Sequence, residues 1–136
     1  MPGYILNVCP RYKHLMPTKC QLSPHKHCEI IFGQTTQLTH VNPYSPLFST
    51  EGVKRIQGII CALLYYARSV NNKLLATLST LSSQQATATE ATDVAMNKLL
   101  DYLATYPDNG TTYRASDMIL CAHANAGFHN KSKGCS

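Results

Sequence analysis

Thiol and imidazole side chains are frequent near the start of this sequence, where they could bind a metal ion. Thiolates and neutral imidazoles are the usual zinc ligands, and four of them can close a tetrahedral site. The spacings Cys20-x4-His25 and His25-x2-Cys28 occur, but there is no Cys-x2-Cys pair and no zinc-finger spacing. We therefore predict no metal or other cofactor, and keep a zinc-binding module as the alternative. Its candidate ligands are Cys9, His14, Cys20, His25, His27 and Cys28.

The motifs of two large enzyme classes do not occur in these 136 residues. There is no Gly-x-Ser-x-Gly nucleophile elbow and no phosphate-binding Gly-x-x-x-x-Gly-Lys loop. Serine, threonine and histidine are plentiful, but a hydrolase needs a nucleophile, a base and an orienting acid held together. We predict that the chain is not an enzyme and that it has no small-molecule substrate.

The charge balance permits contact with nucleic acid. Twelve Lys and Arg against seven Asp and Glu leave a formal charge of +5, although the cations are scattered along the chain. Tyr65 and Tyr66 could stack on bases, but their helical spacing beside Leu63 and Leu64 favours a packing role for both. For the basic residues the simpler alternative is a solvated helix face. The candidate phosphate contacts are Lys54, Arg55, Arg68, Lys73 and Lys98.

The cellular setting follows from what the chain does not contain. No stretch approaches the ~20 apolar residues of a membrane span. The first ten residues have no basic region and too short an apolar run for a secretory signal. We predict an intracellular chain with reduced thiols and no membrane contact. Cys61, which falls in an apolar helical pattern, is predicted to be a buried thiol.

The elements that would position these residues divide the chain into three parts. Residues 1–48 contain all but one of the seven prolines and show no sustained periodicity, so they are predicted to be an irregular Pro- and His-rich connector. Residues 49–107 are predicted to form three amphipathic helices. Residues 108–136 contain two short strand-like runs, 112–114 and 118–123, which predict a β-hairpin. The fold class predicted is mainly α with a short β-hairpin.

The three helices are predicted from apolar periodicity and from their capping residues. The first spans Thr50 to Val70, with Ser49 or Thr50 as its cap. The second spans about 72–84 after Asn71, with Thr and Ser side chains on its outer face. The third begins at a capping box, Thr87 with Glu90, and ends before Pro107. The residues predicted to face inward are Ile56, Ile59, Ile60, Leu63, Leu64, Ala67 and Val70; Leu74, Leu75, Leu78 and Leu81; and Met96, Leu99, Leu100, Leu103 and Tyr106.

Several runs, in order, resemble one known family. The run 53–70, VKRIQGIICALLYYARSV, is similar to the segment after the reverse-transcriptase palm in copia-type retrotransposon polyproteins. The runs KLLDYLATYPD (98–108) and YRASDMIL (113–120) continue the resemblance, as do MPGYI at the start and Ser23-Pro24-His25. In that family these stretches connect the reverse transcriptase to its ribonuclease H domain. The resemblance covers nearly the whole chain.

The resemblance implies that the catalytic residues are missing. The family's polymerase uses a Tyr-x-Asp-Asp-like turn, and no Asp-Asp pair occurs here, so the palm would lie before Met1. Its ribonuclease H begins with a His-Ser-Asp-Ala-Ser-Tyr-like strand that binds Mg²⁺, and Asn125 stands in the place of that Asp. The expectation is an inactive fragment with a truncated ribonuclease H-like hairpin. RNA or DNA is the partner in the parent polyprotein. The fragment exposes helix faces that would meet the palm in the parent, and it is expected to self-associate or aggregate.

Overall fold

The computed structural model describes residues 3–26, 45–112, 114 and 115. The chain divides into two units, one formed by Met1–Lys26 with Val41–Thr111 and the other by His27–His40 with Thr112–Ser136. In the second unit only residues 112, 114 and 115 are described, so the account below concerns the first. Most of the predicted β-hairpin, including Tyr113 and the whole run 118–123, lies outside the described residues.

The first unit is helical, which confirms the prediction of a mainly α chain. Its α-helices are α1 (Tyr4–Arg11), α2 (Thr50–Ser69), α3 (Leu75–Gln84) and α4 (Glu90–Thr105). Short 3-10 helices at Asn72–Leu74 and Gln85–Thr87 connect α2 to α3 and α3 to α4. The described residues contain no strand, only an isolated antiparallel bridge between Leu47 and Thr89. None of the helices described is long and apolar enough to cross a membrane.

Helix α1 corrects the prediction that residues 1–48 are irregular. Ile5, Val8 and Cys9 recur at the three- and four-residue spacing of a helix face, and all three are buried. The helix ends in a Schellman turn, in which Lys13 N–H donates to the Pro10 carbonyl and His14 N–H donates to the Cys9 carbonyl, both at 2.9 Å. The turn closes because Lys13 adopts a left-handed conformation, with φ of 55°.

Helix α2 follows the prediction closely. The amide of Gly52 donates to Ser49 Oγ, so Ser49 is the N-cap, and the predicted apolar stripe is buried apart from Leu64 and Val70, which are half-buried. The prediction that Cys61 is buried is wrong, because this cysteine is exposed. At about 100° per residue, Cys61 lies about 160° around the helix from both Ile59 and Leu63, on the opposite side from the core.

Helix α3 begins later than predicted. Asn71 does not cap it through its side chain, and a 3-10 turn occupies the first three predicted residues. Leu74, Leu78 and Leu81 are buried as predicted. Thr77 was predicted on the outer face but is buried, with 7% exposed. Its hydroxyl lies 3.4 Å from Nδ1 of His25, so the segment after α1 covers this side of α3.

Helix α4 is capped two residues beyond the predicted position. Thr89 is the N-cap, and Thr92 completes the capping box, whereas Thr87 lies in the preceding 3-10 turn. Tertiary contacts select Thr89, because the segment before α2 pairs with it through Phe48 N–H to the Ala88 carbonyl and Glu90 N–H to the Pro46 carbonyl. The four predicted aliphatic residues of α4 are buried, but Tyr106 lies beyond the end of the helix and is 37% exposed.

All four helices contribute to one core. Ile5, Val8 and Cys9 of α1 join the buried stripes of α2, α3 and α4 in a single cluster. Helix α1 is aligned on α2 at two points: the Tyr4 hydroxyl donates to the Ala62 carbonyl, and the Tyr4 ring stacks on Tyr66 with centroids 5.3 Å apart. Burial of these apolar side chains is the main stabilising contribution to the unit.

Candidate nucleic-acid interface

One face of α2 combines the residue types that nucleic-acid binding requires. Lys54, Cys61, Tyr65 and Arg68 are all exposed, with Tyr65 60% exposed. At about 100° per residue they fall within about 60° of one another around the helix. A rise of 1.5 Å per residue places the α-carbons of Lys54 and Arg68 about 21 Å apart. We call these four residues the α2 stripe: two cations at its ends, with an aromatic ring and a thiol between them.

Arg55, also predicted as a phosphate contact, has a different environment. Its Nη1 donates to Asp93 Oδ1 at 2.9 Å, its Nη2 to Asn97 Oδ1 at 3.3 Å and its Nε to the Tyr12 carbonyl at 3.4 Å. The side chain is 30% exposed. Arg55 therefore joins α2 to α4 and to the end of α1, and Asp93 neutralises much of its charge.

The other two predicted cations are not on the α2 stripe. Lys73 is exposed in the 3-10 turn that follows α2, and Lys98 lies half-buried on α4. Of the five predicted basic residues, the structure thus places Lys54 and Arg68 on one face. Tyr65 lies on the same face and is 60% exposed, so the packing role predicted for it is wrong.

Tyr66 has the packing role that was the alternative in the sequence analysis. It is 2% exposed, and its hydroxyl donates to the Asn109 carbonyl at 3.1 Å. Burial raises the pKa of its phenol, and the negative charge of Asp108 raises it further. Asn109 Nδ2 in turn donates to the Tyr102 hydroxyl, so this network holds the segment after α4 against α2.

The predicted zinc ligands do not come together where the structure describes them. Cys9 is buried in the core, Cys20 is exposed, and His14 and His25 have separate side-chain partners. His27 and Cys28 lie outside the described residues. Within residues 3–26, 45–112, 114 and 115, no three His, Cys, Asp or Glu side chains form a metal-binding group.

Among the described residues, Asp101 approaches two of the predicted zinc ligands, Cys9 and His14, and the sequence analysis did not include it with them. His14 Nε2 lies 2.9 Å from Asp101 Oδ1. Burial raises the pKa of the Cys9 thiol, and the charge of Asp101 raises it further, whereas a nucleophilic cysteine needs its pKa lowered. No hydrogen bond joins the thiol to His14 in the described part of the chain. The cluster therefore serves packing and attachment: its His–Asp pair fastens the turn after α1 to α4.

Asn125, the residue in the place of the family's first ribonuclease H carboxylate, lies outside the described residues, as does all of 116–136. Comparison with family models, with curated proteins and with solved structures gives no match in any of the three. The resemblance to copia-type polyproteins therefore stays a prediction from the runs quoted above.

Proposed function

We propose that this chain is a segment of a copia-type retrotransposon polyprotein, between the reverse transcriptase and the ribonuclease H domain, with a connecting role and no catalytic activity of its own. The observation that carries the origin is the order of the family-like runs along the chain, and the connecting role rests on Arg55. It lies in the longest run that resembles the family, and it joins three helices through Tyr12, Asp93 and Asn97.

The ion pairs of the described residues support a connecting role. Arg55–Asp93 links α2 to α4, and His14–Asp101 links the turn after α1 to α4. Each pair joins two elements of the fold, which favours a connecting role for these four side chains. In the parent polyprotein, such a helical unit would brace the polymerase against the nuclease.

The genomic setting tests the proposal most directly. Translation of the flanking DNA in all frames is expected to reveal a Tyr-x-Asp-Asp-like palm motif upstream and further ribonuclease H strands downstream. Flanks without either motif would contradict the polyprotein origin.

The lack of activity is tested on the chain itself. With Mg²⁺ and an RNA–DNA hybrid, we expect no cleavage above background, because Asn125 supplies no charge to a two-metal site. The variant Asn125→Asp restores a carboxylate at that position, and cleavage gained only in this variant would show that Asn125 is what removes the activity. Cleavage by the unaltered chain would refute the proposal.

A second candidate function, nucleic-acid binding, is favoured by the α2 stripe. Lys54 and Arg68 could contact phosphates about 21 Å apart while Tyr65 stacks on a base between them. A gel shift at low salt is expected to weaken on the order of tenfold in a Lys54→Gln, Arg68→Gln variant, because each lost phosphate contact also reduces counterion release. Lys19→Gln, which removes an exposed cation that does not belong to the stripe, is the control. Equal binding by all variants, or none at low salt, would exclude the stripe as the interface.

A further inference from the structure

Asn109 is the only asparagine in the sequence that is followed by a glycine. This dipeptide favours deamidation, because glycine lacks the Cβ that hinders attack by its backbone nitrogen on the preceding side-chain amide. Asn109 lies half-buried in the segment after α4, where its N–H donates to the Tyr106 carbonyl at 3.2 Å. The contacts of Asn109 therefore decide whether the reaction can proceed in the folded chain.

Two buried tyrosines hold the two groups of Asn109 that must move for this reaction. The Tyr66 hydroxyl donates to the Asn109 carbonyl at 3.1 Å, which fixes the peptide plane between Asn109 and Gly110. Asn109 Nδ2 donates to the Tyr102 hydroxyl at 3.1 Å, which fixes the side-chain amide. Tyr66 and Tyr102 are 2% and 7% exposed, so water competes little for these bonds. Ring closure requires the side chain and the peptide plane to turn toward each other, and both bonds oppose that rotation.

The backbone after Asn109 lies directly against the end of α2. Thr111 N–H donates to the Val70 carbonyl at 2.7 Å, and Thr111 Oγ1 donates to Asn72 Oδ1 at 2.9 Å. A Cβ on Gly110 would come within 3.3 Å of Val70. These contacts involve a few residues near the surface, so the segment 109–111 can open without unfolding of the core.

We propose that Asn109 is a deamidation site that reacts when the segment 109–111 opens, and whose isoaspartate product keeps the segment open. In the open segment the Gly110 nitrogen gives its proton to hydroxide, and its electron pair forms a bond to Asn109 Cγ. The Cγ–Nδ2 bond breaks, and Nδ2 leaves as ammonia after taking a proton from water. The product is a five-membered succinimide ring.

Water then opens the ring at one of two bonds. Cleavage between the Gly110 nitrogen and Cγ gives aspartate, whereas cleavage between that nitrogen and the backbone carbonyl carbon gives isoaspartate. In isoaspartate the main chain passes through Cβ, and the carbonyl that accepted from Tyr66 becomes a free carboxylate. The contacts with Tyr66 and Val70 then no longer fit the longer chain. The inference does not depend on the polyprotein origin.

The experiment is to age the full-length chain at mildly alkaline pH, either folded or in urea. Mass spectrometry follows the peptide that contains Asn109, with chromatographic separation of its aspartate and isoaspartate forms. We expect conversion in urea and slower conversion in the folded chain. Tyr102→Phe should speed conversion of the folded chain about fivefold, as the loss of one hydrogen bond predicts, and leave the rate in urea unchanged.

Two further variants make the test specific. Tyr106→Phe is the matched control, because the hydroxyls that hold Asn109 belong to Tyr66 and Tyr102, and it should change neither rate. Gly110→Ala should slow conversion in urea, where its packing against Val70 plays no part.

Hydrogen exchange measures the effect of the product. The Thr111 amide should exchange faster in the isoaspartate form, isolated by ion-exchange chromatography, than in the fresh chain. The proposal would be overturned by equal conversion in the folded and urea-treated chains, or by no conversion in urea. It would also be overturned by equal acceleration in Tyr102→Phe and Tyr106→Phe, or by unchanged exchange at Thr111.

Discussion

The guanidinium of Arg55 and the carboxylate of Asp93, thirty-eight residues apart in sequence, meet at 2.9 Å and join α2 to α4. Asn97 accepts from the same guanidinium and also donates to Asp93, so the three side chains form a closed polar network. The network also anchors the end of α1, because Arg55 Nε donates to the Tyr12 carbonyl.

Loss of Asp93 should destabilise the fold. In Asp93→Ala the partly buried Arg55 loses its charged partner, and we expect the free energy of unfolding to fall by about 1–2 kcal/mol. The Arg55–Asp93 coupling in a double-mutant cycle should be smaller, about 0.5–1 kcal/mol, because both side chains are partly solvated. Urea denaturation measures both quantities. Lys73→Gln should stay within about 0.5 kcal/mol of the unaltered chain, and an equal loss there would rule out a specific role for the network.

Gly52 is required by the close approach of Phe48. A Cβ at position 52 would overlap the Phe48 ring, so Gly52→Ala must displace that ring and should cost about 1–3 kcal/mol despite the better helix propensity of alanine. The same substitution in a Phe48→Leu background should be nearly neutral. The measurement is the thermal unfolding of four chains: the unaltered chain, Gly52→Ala, Phe48→Leu and the double variant. Equal losses in both backgrounds would show that the ring is not the cause.

Lys13 should be replaceable by glycine with a gain in stability. Its φ of 55° is costly for a residue with a Cβ and costs glycine nothing, so Lys13→Gly should stabilise the chain by about 0.5–1 kcal/mol. Lys19→Gly is the matched control, since Lys19 has no positive φ and glycine there should be neutral or destabilising. Identical urea midpoints for Lys13→Gly and Lys19→Gly would show that the left-handed conformation of Lys13 does not cost stability.

The thiols should differ in reactivity. Cys20 and Cys61 are exposed, whereas Cys9 is buried with a raised pKa, so iodoacetamide at pH 8 should label Cys20 and Cys61 well before Cys9. Peptide mass spectrometry measures the order, and labelling in urea should remove the difference. Fast labelling of Cys9 in the folded chain would place it outside the core.

The raised pKa of Cys9 also predicts a loss of stability in alkali. The folded state holds the thiol proton more tightly than the unfolded state, so this contribution is complete below the unfolded pKa. It is lost as the pH rises from the ordinary pKa of a thiol toward the raised pKa of the folded state. Cys9→Ala should therefore show a shallower fall in stability over that range than the unaltered chain. If the free energy of unfolding falls equally steeply with pH in both chains, the alkaline loss does not come from Cys9.

Self-association is expected from apolar side chains outside the core. Leu15, Leu22, Leu47 and Val94 are each more than two-thirds exposed. Size-exclusion chromatography should show a concentration-dependent apparent mass, and Leu22→Gln with Leu47→Gln should reduce it. A monomer at every concentration would contradict this expectation.

The sequence by itself determined the helical stripes of α2, α3 and α4. Apolar residues at three- and four-residue spacing bury one face whatever that face packs against, so the pattern is local. The capping of α2 by Ser49 is also local, because its hydroxyl accepts from the amide of Gly52, three residues later. The α2 stripe could also be predicted, because Lys54, Tyr65 and Arg68 lie on one helix, whose geometry alone sets their relation. Helix α1 carries the same signal in Ile5, Val8 and Cys9, but its eight residues and nearby prolines make the signal short.

Only the tertiary structure decided which residues became partners. Thr89 replaced Thr87 as the cap of α4 because the segment before α2 pairs with it, and no local pattern encodes that pairing. Arg55 was predicted to contact phosphate, but it forms an ion pair with Asp93 because the fold places α4 beside α2. His14 and Asp101, 87 residues apart, form an ion pair only because folding brings the turn after α1 onto α4. Helical periodicity acts over a few residues, whereas charge pairing and close packing depend on which surfaces the whole chain brings together.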